Sequence, residues 1–573
     1  MNSHATLQLA LDHFDLQDYA AAEQSLFALL EQHPQHKDAL HLLGSVAAAQ
    51  GRFEEAALAW QQALRLVEPD SEEALALRYR LGRAFYEQGR FEDAFLLYRD
   101  LIEAGHQQAE FFVAAAAALQ ALSPSGKNDR QALALLEEAL QRNPEQADTW
   151  HRKALLHERA AQWELARDCI HQALRLNDQS AQLWLAAGLI EHALGAYEEA
   201  LRYYDQALIL SPELVDAHVS RGTTLARLRD HEEAIDSYRR ALRIDAGDAD
   251  AHVNLALSLL ALGRLEEALP LYEWRWEGRD ADPYRHAAIP AWNGGSSLQG
   301  KRLLLWAEQG QGDTIQFSRY VLQMVGAGAE VVLEVPASLL RLMHGLPCAA
   351  SIRLVAMGQA LPEVDFQLPL MSLPLVCNTS LASIPESFPG SSYLAPEAGL
   401  CSQWETRIAA LAPRAAGRVR VGVVCSGNPG NVNDARRSIA LERFATLEQA
   451  RGGLDFFVLQ PDLRDADAQW LRQAGPGWHD LGADIGDFAD TAAALSCMDL
   501  LISVDTAAAH LAGALGRPVW VALPHAPDWR WFLQRHDSPW YPTARLFRQQ
   551  QPGAWDDVIR MLRAALAIEQ FKA

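Results

Sequence analysis

The sequence is short of cysteine pairs, of positive charge and of long apolar runs. Its six cysteines are scattered and no two form a C-x-x-C pair, which argues against a disulfide framework or a zinc site and favours a reducing compartment. Asp and Glu number 73 against 50 Lys and Arg, a formal net charge of −23. Nonspecific nucleic-acid binding is therefore not expected.

Membrane and export signals are also missing from the sequence. No apolar run reaches membrane-spanning length, and the first residues, MNSHATLQLALDHF, lack the basic and apolar regions of a signal peptide. We therefore expect no membrane span and a cytoplasmic location. At 573 residues, 49% of them hydrophobic, the chain should form several globular domains.

A short motif recurs through the first half of the chain. It reads GRFEEA up to Ala56, GRFEDA up to Ala94, GAYEEA up to Ala200 and GRLEEA up to Ala268. The alanines at 132, 166, 200, 234 and 268 are 34 residues apart, as are Ala22 and Ala56. The steps to Ala94 and to Ala132 are 38 residues long and indicate insertions, the second at SPSGKND. This period resembles the tetratricopeptide repeat, in which two helices approach closely where side chains are small. About eight repeats are expected over residues 1–271.

Such an array should offer a concave face to an extended peptide or a partner protein. The alternative that it only scaffolds, or joins two copies into a homo-oligomer, stays open. Residues 272–300 follow it, where Pro, Gly and Ser accumulate. We expect a linker that packs Trp274, Trp276 and Trp292 against the next domain.

Strand and helix signals alternate after residue 300. Residues 303–307, 330–335, 352–355 and 365–368 read as strands, and the turn EQGQGD follows the first of them. We expect a Rossmann-like domain over residues 301–398. A second one should span residues 417–573, with strands at 419–425, 454–460, 500–504 and 519–523 and an amphipathic closing helix. Two such domains with a cleft between them favour the GT-B fold.

Residues 500–524, LLISVDTAAAHLAGALGRPVWVALP, read as a β-α-β crossover of a parallel sheet. Asp505 and Thr506 fall at the carboxyl end of a buried strand, where such sheets bind their ligands. A helix begins directly afterwards, so its free N–H groups and positive dipole end point to the same spot. His510 lies about one turn into that helix. The pattern predicts an anion or nucleotide site.

Three motifs together carry a family resemblance. They are GDTIQF after a strand, SGN…RRSI after the first strand of the second unit, and SVDTAAAHLAGALGRPVWVALP. They resemble the glycosyltransferase family that contains the lipopolysaccharide heptosyltransferases. The segments APDWRW and DSPWYP are similar to its branch fused to tetratricopeptide repeats, as in bacterial flagellin glycosyltransferases and O-GlcNAc transferase. The resemblance implies tetratricopeptide repeats followed by a GT-B α/β transferase.

The resemblance also implies a donor site for a nucleotide sugar. Asp505, Thr506, Ala507 and His510 match it, with the alternative that His510 is only a capping or core histidine. A second phosphate cradle is predicted in the loop after the first strand of the second domain, since glycine lets backbone approach a ligand and Arg binds phosphate bidentately. Its residues are Ser426, Gly427, Asn428, Arg436 and Arg437. A solvated basic pair is the alternative.

Asp313 matches the proposed general base of the heptosyltransferases. Its alternative role is the N-cap of a helix starting at Thr314. Asp528, Trp529 and Arg530 form a polar and aromatic loop that could cover the donor sugar, or anchor a domain interface. No D-x-D motif stands at a strand end in this region, so we expect a metal-independent enzyme without a cofactor.

The sequence therefore predicts a glycosyltransferase that moves a sugar from a nucleotide sugar to a hydroxyl of a protein presented by the repeats. Flagellin or another surface protein is the expected acceptor. Some repeat-bearing glycosyltransferases clamp peptide backbone with an asparagine ladder, but here only Asn254 fits, with Ser220 and Arg152 at matching positions. Two alternatives remain: an enzyme acting on lipopolysaccharide or another glycan, and a non-catalytic adaptor with a degenerate transferase domain.

Overall fold

The computed structural model describes residues 3–278, 281–384, 392–431 and 433–571. The chain divides into two compact units, with the boundary between Ala217 and His218. The first unit consists of paired helices. Its helices are α1 (Ser3–Asp15), α2 (Tyr19–Gln32), α3 (Lys37–Ala49), α4 (Phe53–Leu64), α5 (Glu72–Glu87), α6 (Phe91–Glu103), α7 (Ala109–Leu122), α8 (Asp129–Arg142), α9 (Ala147–Arg159), α10 (Trp163–Leu176), α11 (Ala181–Leu194) and α12 (Tyr197–Leu210).

Glycine and an aromatic ring set the close approach inside several helix pairs. A Cβ added at Gly188 of α11 would lie 2.4 Å from the ring of Tyr204 on α12. The same relationship joins Gly44 to Trp60 and Gly82 to Tyr98. Because only glycine leaves room for the ring, the two helices can pack with their backbones near each other. The repeat motif ends in alanines that are fully buried, such as Ala56 and Ala200.

The two 38-residue steps of the repeat motif, from Ala56 to Ala94 and from Ala94 to Ala132, have different structural causes. Helix α5 is 16 residues long, while the segment SPSGKN forms a turn between α7 and α8. A cavity of about 530 Å³ lies in this irregular region of the first unit. Tyr79, Tyr98, Glu110 and Arg152 are among the residues that line it.

Four more helices of the repeat pattern follow, the first of which contains the boundary between the two units. They are α13 (Val215–Arg227), α14 (His231–Ile244), α15 (Ala249–Ala261) and α16 (Leu265–Tyr272). A short 3-10 helix, Glu273–Trp276, follows. Here Trp276 packs on Trp306, with ring centroids 5.4 Å apart, and the backbone N–H of Trp292 donates to the carbonyl of Gln367. The prediction for Trp274 was wrong, since its ring stacks on His252 of α15 at 4.2 Å.

The first sheet is fully parallel and has the strand order β3-β2-β1-β4. Its strands are β1 (Arg302–Trp306), β2 (Glu330–Val335), β3 (Arg353–Ala356) and β4 (Phe366–Pro369). Helices α17 (Gln311–Phe317), α18 (Val321–Gly326), α19 (Ala337–Met343) and α20 (Leu373–Val376) connect or follow them. The central strand β1 is almost wholly apolar and buried, as expected when helices cover both faces of a parallel sheet.

Helix α21 (Ala398–Leu411) leads to the second sheet, whose order is β10-β9-β8-β5-β6-β7. All pairs are parallel. The strands are β5 (Val419–Val424), β6 (Leu454–Val458), β7 (Trp478–Asp480), β8 (Leu500–Val504), β9 (Val519–Leu523) and β10 (Ala544–Arg548). The helices are α22 (Asp434–Arg437), α23 (Leu441–Phe444), α24 (Asp465–Gln473), α25 (Phe488–Ser496), α26 (Ala507–Ala514) and α27 (Trp555–Ile568).

The predicted sequence of helical repeats followed by parallel sheets with helices is confirmed. Strands β5, β6, β8 and β9 fall where the sequence predicts them, because each is buried along its whole length and reads as an apolar run. The amphipathic helix expected at the C-terminal end is α27, and its apolar side packs into the core of the second sheet through Val558 and Leu562. Strands β7 and β10 were not predicted.

Candidate functional site

Asp313 lies just beyond strand β1, in the first turn of α17. The helix begins at Gln311 with Gly310 as its N-cap, so the prediction that Asp313 caps a helix starting at Thr314 was wrong. Its Oδ2 accepts the backbone N–H of Gly310 at 2.9 Å, and its Oδ1 accepts Nη2 of Arg530 at 2.5 Å. Burial raises the pKa of the Asp313 carboxyl, and the charge of Arg530 opposes that rise.

Arg530 lies between two carboxylates. It belongs to the 3-10 helix Trp529–Trp531 after β9, and its Nη1 donates to Oδ1 of Asp528 at 2.9 Å. The guanidinium lies over the ring of Trp529, 4.4 Å from its centroid. Partial burial works against ionisation of Asp528, but Arg530 outweighs it and lowers the pKa of this carboxyl. The loop after β9 is thus joined to the turn after β1 by an ion pair.

Asp505, at the end of β8, is held by the protein itself. Its Oδ1 accepts the indole N–H of Trp531 at 2.8 Å, and its side chain is almost completely buried. Burial, together with repulsion from Asp528, raises the pKa of Asp505 to about 6. Thr506 is the N-cap residue of α26, and its hydroxyl lies 3.0 Å from that of Ser503.

His510 is buried in α26 and stays neutral. Its Nδ1 lies 2.9 Å from the hydroxyl of Tyr541, and its ring stacks on Trp531 at 5.2 Å. Burial and the nearby charge of Arg530 lower the pKa of His510 to about 3. The alternative of a core histidine therefore describes the His510 environment well, although its ring also borders Gly312 of the Asp313 turn.

The predicted phosphate cradle after β5 is largely occupied by protein side chains. The backbone N–H of Ser426 donates to Oε1 of Gln460 at 3.1 Å, and that of Gly427 donates to Oδ1 of Asp434 at 3.1 Å. Asn428 is exposed, and its Oδ1 accepts the N–H of Gly430 at 2.9 Å. In this arrangement the backbone N–H groups of Ser426 and Gly427 are thus bonded within the protein, and the phosphate cradle stays a prediction.

Asp434 organises the two arginines that face this loop. It is 4% exposed and forms ion pairs with Arg464 and, at 3.7 Å, with Arg437. The adjacent arginines 436 and 437 differ in their exposure to solvent. Arg436 is exposed, whereas only 21% of the Arg437 side chain is exposed. One carboxylate between two guanidinium groups leaves a net positive charge, which suits an anion.

The structure brings most of the predicted site residues to the carboxyl ends of the strands. Asp313, Asp505, His510 and Arg530 are linked by the contacts above, and the charge of Arg437 is close enough to lower the pKa of both Asp505 and His510. Ala507 lies beside Gly312, since a Cβ there would be 3.5 Å from the Ala507 Cα atom. Arg436 and Asn428 are exposed outliers of this group.

Sequence reasoning missed Asp434, Gln460 and Arg464. Gln460 and Arg464 lie in the segment that follows β6. Their position after a buried strand of a parallel sheet is the feature of the sequence that could have marked them as site residues. Gln460 was instead read as part of that strand. Asp434 lies in the short helix α22, within a stretch that reads as a loop.

A carboxylate at the start of α25 connects the two sheet domains. Asp487 is the N-cap residue of this helix, and it accepts the N–H groups of Ala489 and Asp490. Its Oδ2 also accepts Nη1 of Arg341 from α19 at 3.0 Å. This contact is a second ion pair between the two sheet domains.

Residues 3–278, 281–384, 392–431 and 433–571 contain neither a metal-binding cluster nor a membrane-spanning helix. No group of three or more His, Cys, Asp or Glu residues in these ranges could hold a metal ion. No helix in them is both long enough and apolar enough to cross a membrane.

Comparison with known proteins supports the repeats. The tetratricopeptide repeat family model matches residues 7–71, 51–109, 151–215, 195–249 and 219–284, so this part of the chain consists of tetratricopeptide repeats. Protein FlbA of Caulobacter vibrioides is 26% identical over 299 residues, which are 49% of this chain and 48% of FlbA. The chain thus matches about half the length of this relative.

Two solved tetratricopeptide repeat proteins are similar to part of the chain. A tetratricopeptide repeat protein from Parabacteroides merdae is 17% identical, with a TM-score of 0.36 over 44% of this chain and 94% of that one. A thermophilic tetratricopeptide repeat protein of Thermus thermophilus is 24% identical, with a TM-score of 0.28 over 33% and 98% of the two chains.

Proposed function

We propose that this protein is a glycosyltransferase that transfers a sugar from a nucleotide sugar to a hydroxyl group of a protein. The observation that carries the proposal is the ion pair between Asp313 and Arg530 at 2.5 Å. It joins the carboxyl-end loops of two parallel sheets, which are the loops where such sheets bind ligands. We infer a GT-B arrangement of the two sheet domains, with the reaction at this junction.

The proposed reaction needs a base for the acceptor and positive charge for the leaving group. The hydroxyl oxygen of the acceptor attacks the anomeric carbon, and the bond from that carbon to the diphosphate oxygen breaks. Asp313 takes the hydroxyl proton, and burial suits it to this role by raising its pKa. The nucleoside diphosphate leaves with the bonding electron pair.

Arg437 and Arg464 are the proposed partners of the diphosphate. They share the buried carboxylate of Asp434, so their guanidinium groups are held in place before the ligand arrives. The first two N–H groups of α26, those of Ala507 and Ala508, have no acceptor within their own helix, whereas that of Ala509 donates to the carbonyl of Thr506 at 3.0 Å. These groups and the helix dipole would add to the positive potential there.

The repeats support a protein as the acceptor, since stacked tetratricopeptide units form extended surfaces for other chains. We propose that the acceptor docks on them. A second candidate, a non-catalytic adaptor, has its own support. Arg530 already occupies one oxygen of Asp313, and the loop N–H groups of Ser426 and Gly427 are bonded within the protein.

A thermal-shift screen of the whole chain against ADP-, UDP-, GDP- and CMP-sugars tests the proposal. A ligand that binds only the native state adds about 2.7 kcal/mol of stability at a hundred times its Kd, so the true donor should raise the melting temperature clearly. The protein, given this donor and a protein acceptor, should then release nucleoside diphosphate. Failure of every nucleotide to shift the melting temperature would favour the adaptor.

The Asp313→Asn variant separates binding from chemistry. It should keep the thermal shift with the donor and lose sugar transfer, because an amide cannot take the hydroxyl proton. Asp537→Asn is the matched control, since Asp537 is exposed and pairs only with Arg535 among the described residues. Unchanged turnover in Asp313→Asn would remove Asp313 as the base.

A further inference from the structure

We propose that Arg530 is a positioning residue that aims the carboxylate of Asp313 and keeps it ionised. This inference rests on the proposed function, because Asp313 is the proposed base. The two residues are 217 positions apart in the sequence and belong to different sheet domains. The contact therefore forms only when the turn after β1 meets the loop after β9.

The guanidinium of Arg530 has a single well-defined orientation. Its own backbone N–H and its Nη1 both bond Oδ1 of Asp528, at 3.0 and 2.9 Å. Its flat face lies over Trp529 at 4.4 Å, and its side chain is 7% exposed. With one edge bonded to Asp528 and one face on Trp529, Nη2 points toward Asp313 and donates to its Oδ1.

The carboxylate of Asp313 is in turn held at both oxygens. Arg530 bonds Oδ1 and the N–H of Gly310 bonds Oδ2. Each oxygen keeps a further lone pair, since an ionised carboxylate accepts at about four positions. The base is thus oriented without being blocked, which is what a proton acceptor with fixed geometry requires.

The charge of Arg530 matters because the surroundings of Asp313 otherwise disfavour ionisation. Burial raises the pKa of Asp313, and Asp528 acts in the same direction, whereas Arg530 lowers it. Two neighbouring groups, Tyr272 from α16 and His510 from α26, are uncharged near neutral pH, because burial raises the pKa of Tyr272 to about 12 and lowers that of His510 to about 3. The charged groups around them are Arg319 and Arg437, which act on His510, Arg275 and Glu308, which act on Tyr272, and Asp505, whose pKa of about 6 leaves it mostly ionised at neutral pH. Arg530 is the cation bonded to Asp313, and its charge offsets the effects of burial and of Asp528 on the pKa of Asp313.

The pH dependence of sugar transfer tests the role of this charge. In Arg530→Gln the acid limb of the kcat/KM profile should move to higher pH by roughly 1–3 units, the usual effect of an arginine beside an aspartate. Arg530→Lys keeps the charge and should restore most of the acid limb, although not the full kcat, because lysine lacks the fixed fork. Arg535→Gln is the matched control, since the Arg535 side chain is 40% exposed and pairs with Asp537.

Two outcomes of that experiment would overturn the proposal. One is an acid limb that stays where it is in Arg530→Gln while KM alone rises, which would make Arg530 a substrate contact. The other is a limb that moves equally in the Arg535→Gln control, which would make it a general effect of protein charge.

A second measurement needs no substrate and so stands even if the protein is not a transferase. Melting temperatures are compared for wild type, Asp313→Asn, Arg530→Gln and the double variant. Arg530→Gln leaves the buried Asp313 charge without its ion pair, and Asp313→Asn leaves Arg530 with Asp528 as its carboxylate partner. Because the two single changes break the same bond, the double variant should lose clearly less than the sum of the two single losses. Additive losses would show that the two side chains are not coupled and would overturn the proposal.

The pH profile and the melting temperatures together distinguish failure of the proposed function from failure of the positioning role of Arg530. Coupled melting temperatures without any donor-dependent activity would contradict the proposed function and leave the Arg530–Asp313 pair as a structural bond, which also overturns the positioning role. Donor-dependent activity with a fixed acid limb would keep the proposed function and overturn the positioning role alone.

Discussion

Gly312 lies directly against His510. A Cβ atom on residue 312 would lie 2.9 Å from Cδ2 of the His510 ring and 3.5 Å from the Cα atom of Ala507. Helix α17, which follows β1, and helix α26, which follows β8, therefore touch through a residue without a side chain. The carboxyl ends of the two sheets can approach this closely only because position 312 is glycine.

Gly312→Ala should loosen this junction. The His510 ring cannot step aside, since Tyr541 bonds its Nδ1 and Trp531 stacks on it, so the two helices must separate. We expect a cost of about 1–3 kcal/mol, as for other overpacked sites, seen as a lower melting temperature, with a larger relative loss of sugar transfer. Gly326→Ala is the control, because a Cβ there meets nothing within 4 Å. Equal effects of the two changes would contradict the assignment.

His510 should make the protein less stable in mild acid. In the folded state its pKa is about 3, against about 6.5 in an unfolded chain. Between these values the unfolded state binds the proton and the folded state does not. The stability from neutral His510 is thus complete above pH 6.5 and is lost as the pH falls, by up to about 1.4 kcal/mol per unit.

Melting temperatures at pH 7.5 and pH 5 measure this effect. The drop between them should be smaller in His510→Gln than in wild type. Asp505 acts with the opposite sign, because its raised pKa of about 6 lets the folded state take up a proton first, but it is present in both proteins. His536→Gln, at an exposed position, should behave as wild type. A drop in His510→Gln as large as that of wild type would show that His510 is not held neutral.

The two neighbouring arginines of α22 should differ in their effect on nucleotide binding. Arg437 is largely buried beside Asp434, and among the described residues its Nε has an ion-pair partner but no hydrogen-bond acceptor, whereas Arg436 is exposed. Losing a charge-assisted hydrogen bond costs about 1.5–3 kcal/mol. Arg437→Gln should therefore raise the Kd of the best nucleoside diphosphate by roughly 10- to 100-fold, measured by titration calorimetry. An equal loss in Arg436→Gln would point to long-range charge alone.

The sequence predicts the parts of this fold that repeat or that are buried on both faces. The 34-residue alanine pattern locates the helix pairs, and strands such as β8 are read from apolar runs. Strand β7 escapes because it has three residues, WHD, at the edge of the sheet. Strand β10 escapes because Arg545 and Arg548 interrupt its apolar residues.

The candidate site is predictable only in part, for a similar reason. Single residues at strand ends, such as Asp313 and Asp505, stand out in the sequence because parallel sheets gather ligands there. Their partners do not stand out. The bond between Trp531 and Asp505 and the bond between Arg530 and Asp313 depend on how loops meet in space, and no local pattern encodes that meeting.

The last four repeat helices should be needed for the stability of the sheet domains. Leu260, Leu265 and Leu269 of α15 and α16 line a small apolar space together with Trp529 and Trp540. The side chain of Arg229, just after α13, donates through Nη2 to the carbonyl of Leu533 at 2.8 Å. These helices therefore cover apolar surface of the sheet domains, in addition to forming repeats.

Two N-terminal truncations test this dependence. A fragment starting at Leu214 keeps α13 to α16 and should melt cooperatively and still be stabilised by the donor. A fragment starting at Glu273 exposes the side chains of Trp529 and Trp540 and should melt at a lower temperature and aggregate, since large exposed apolar patches promote association. Size-exclusion chromatography and thermal melting distinguish them. If both fragments stay monomeric with the same melting temperature, α13–α16 serve only as repeats and the sheet domains are stable without them.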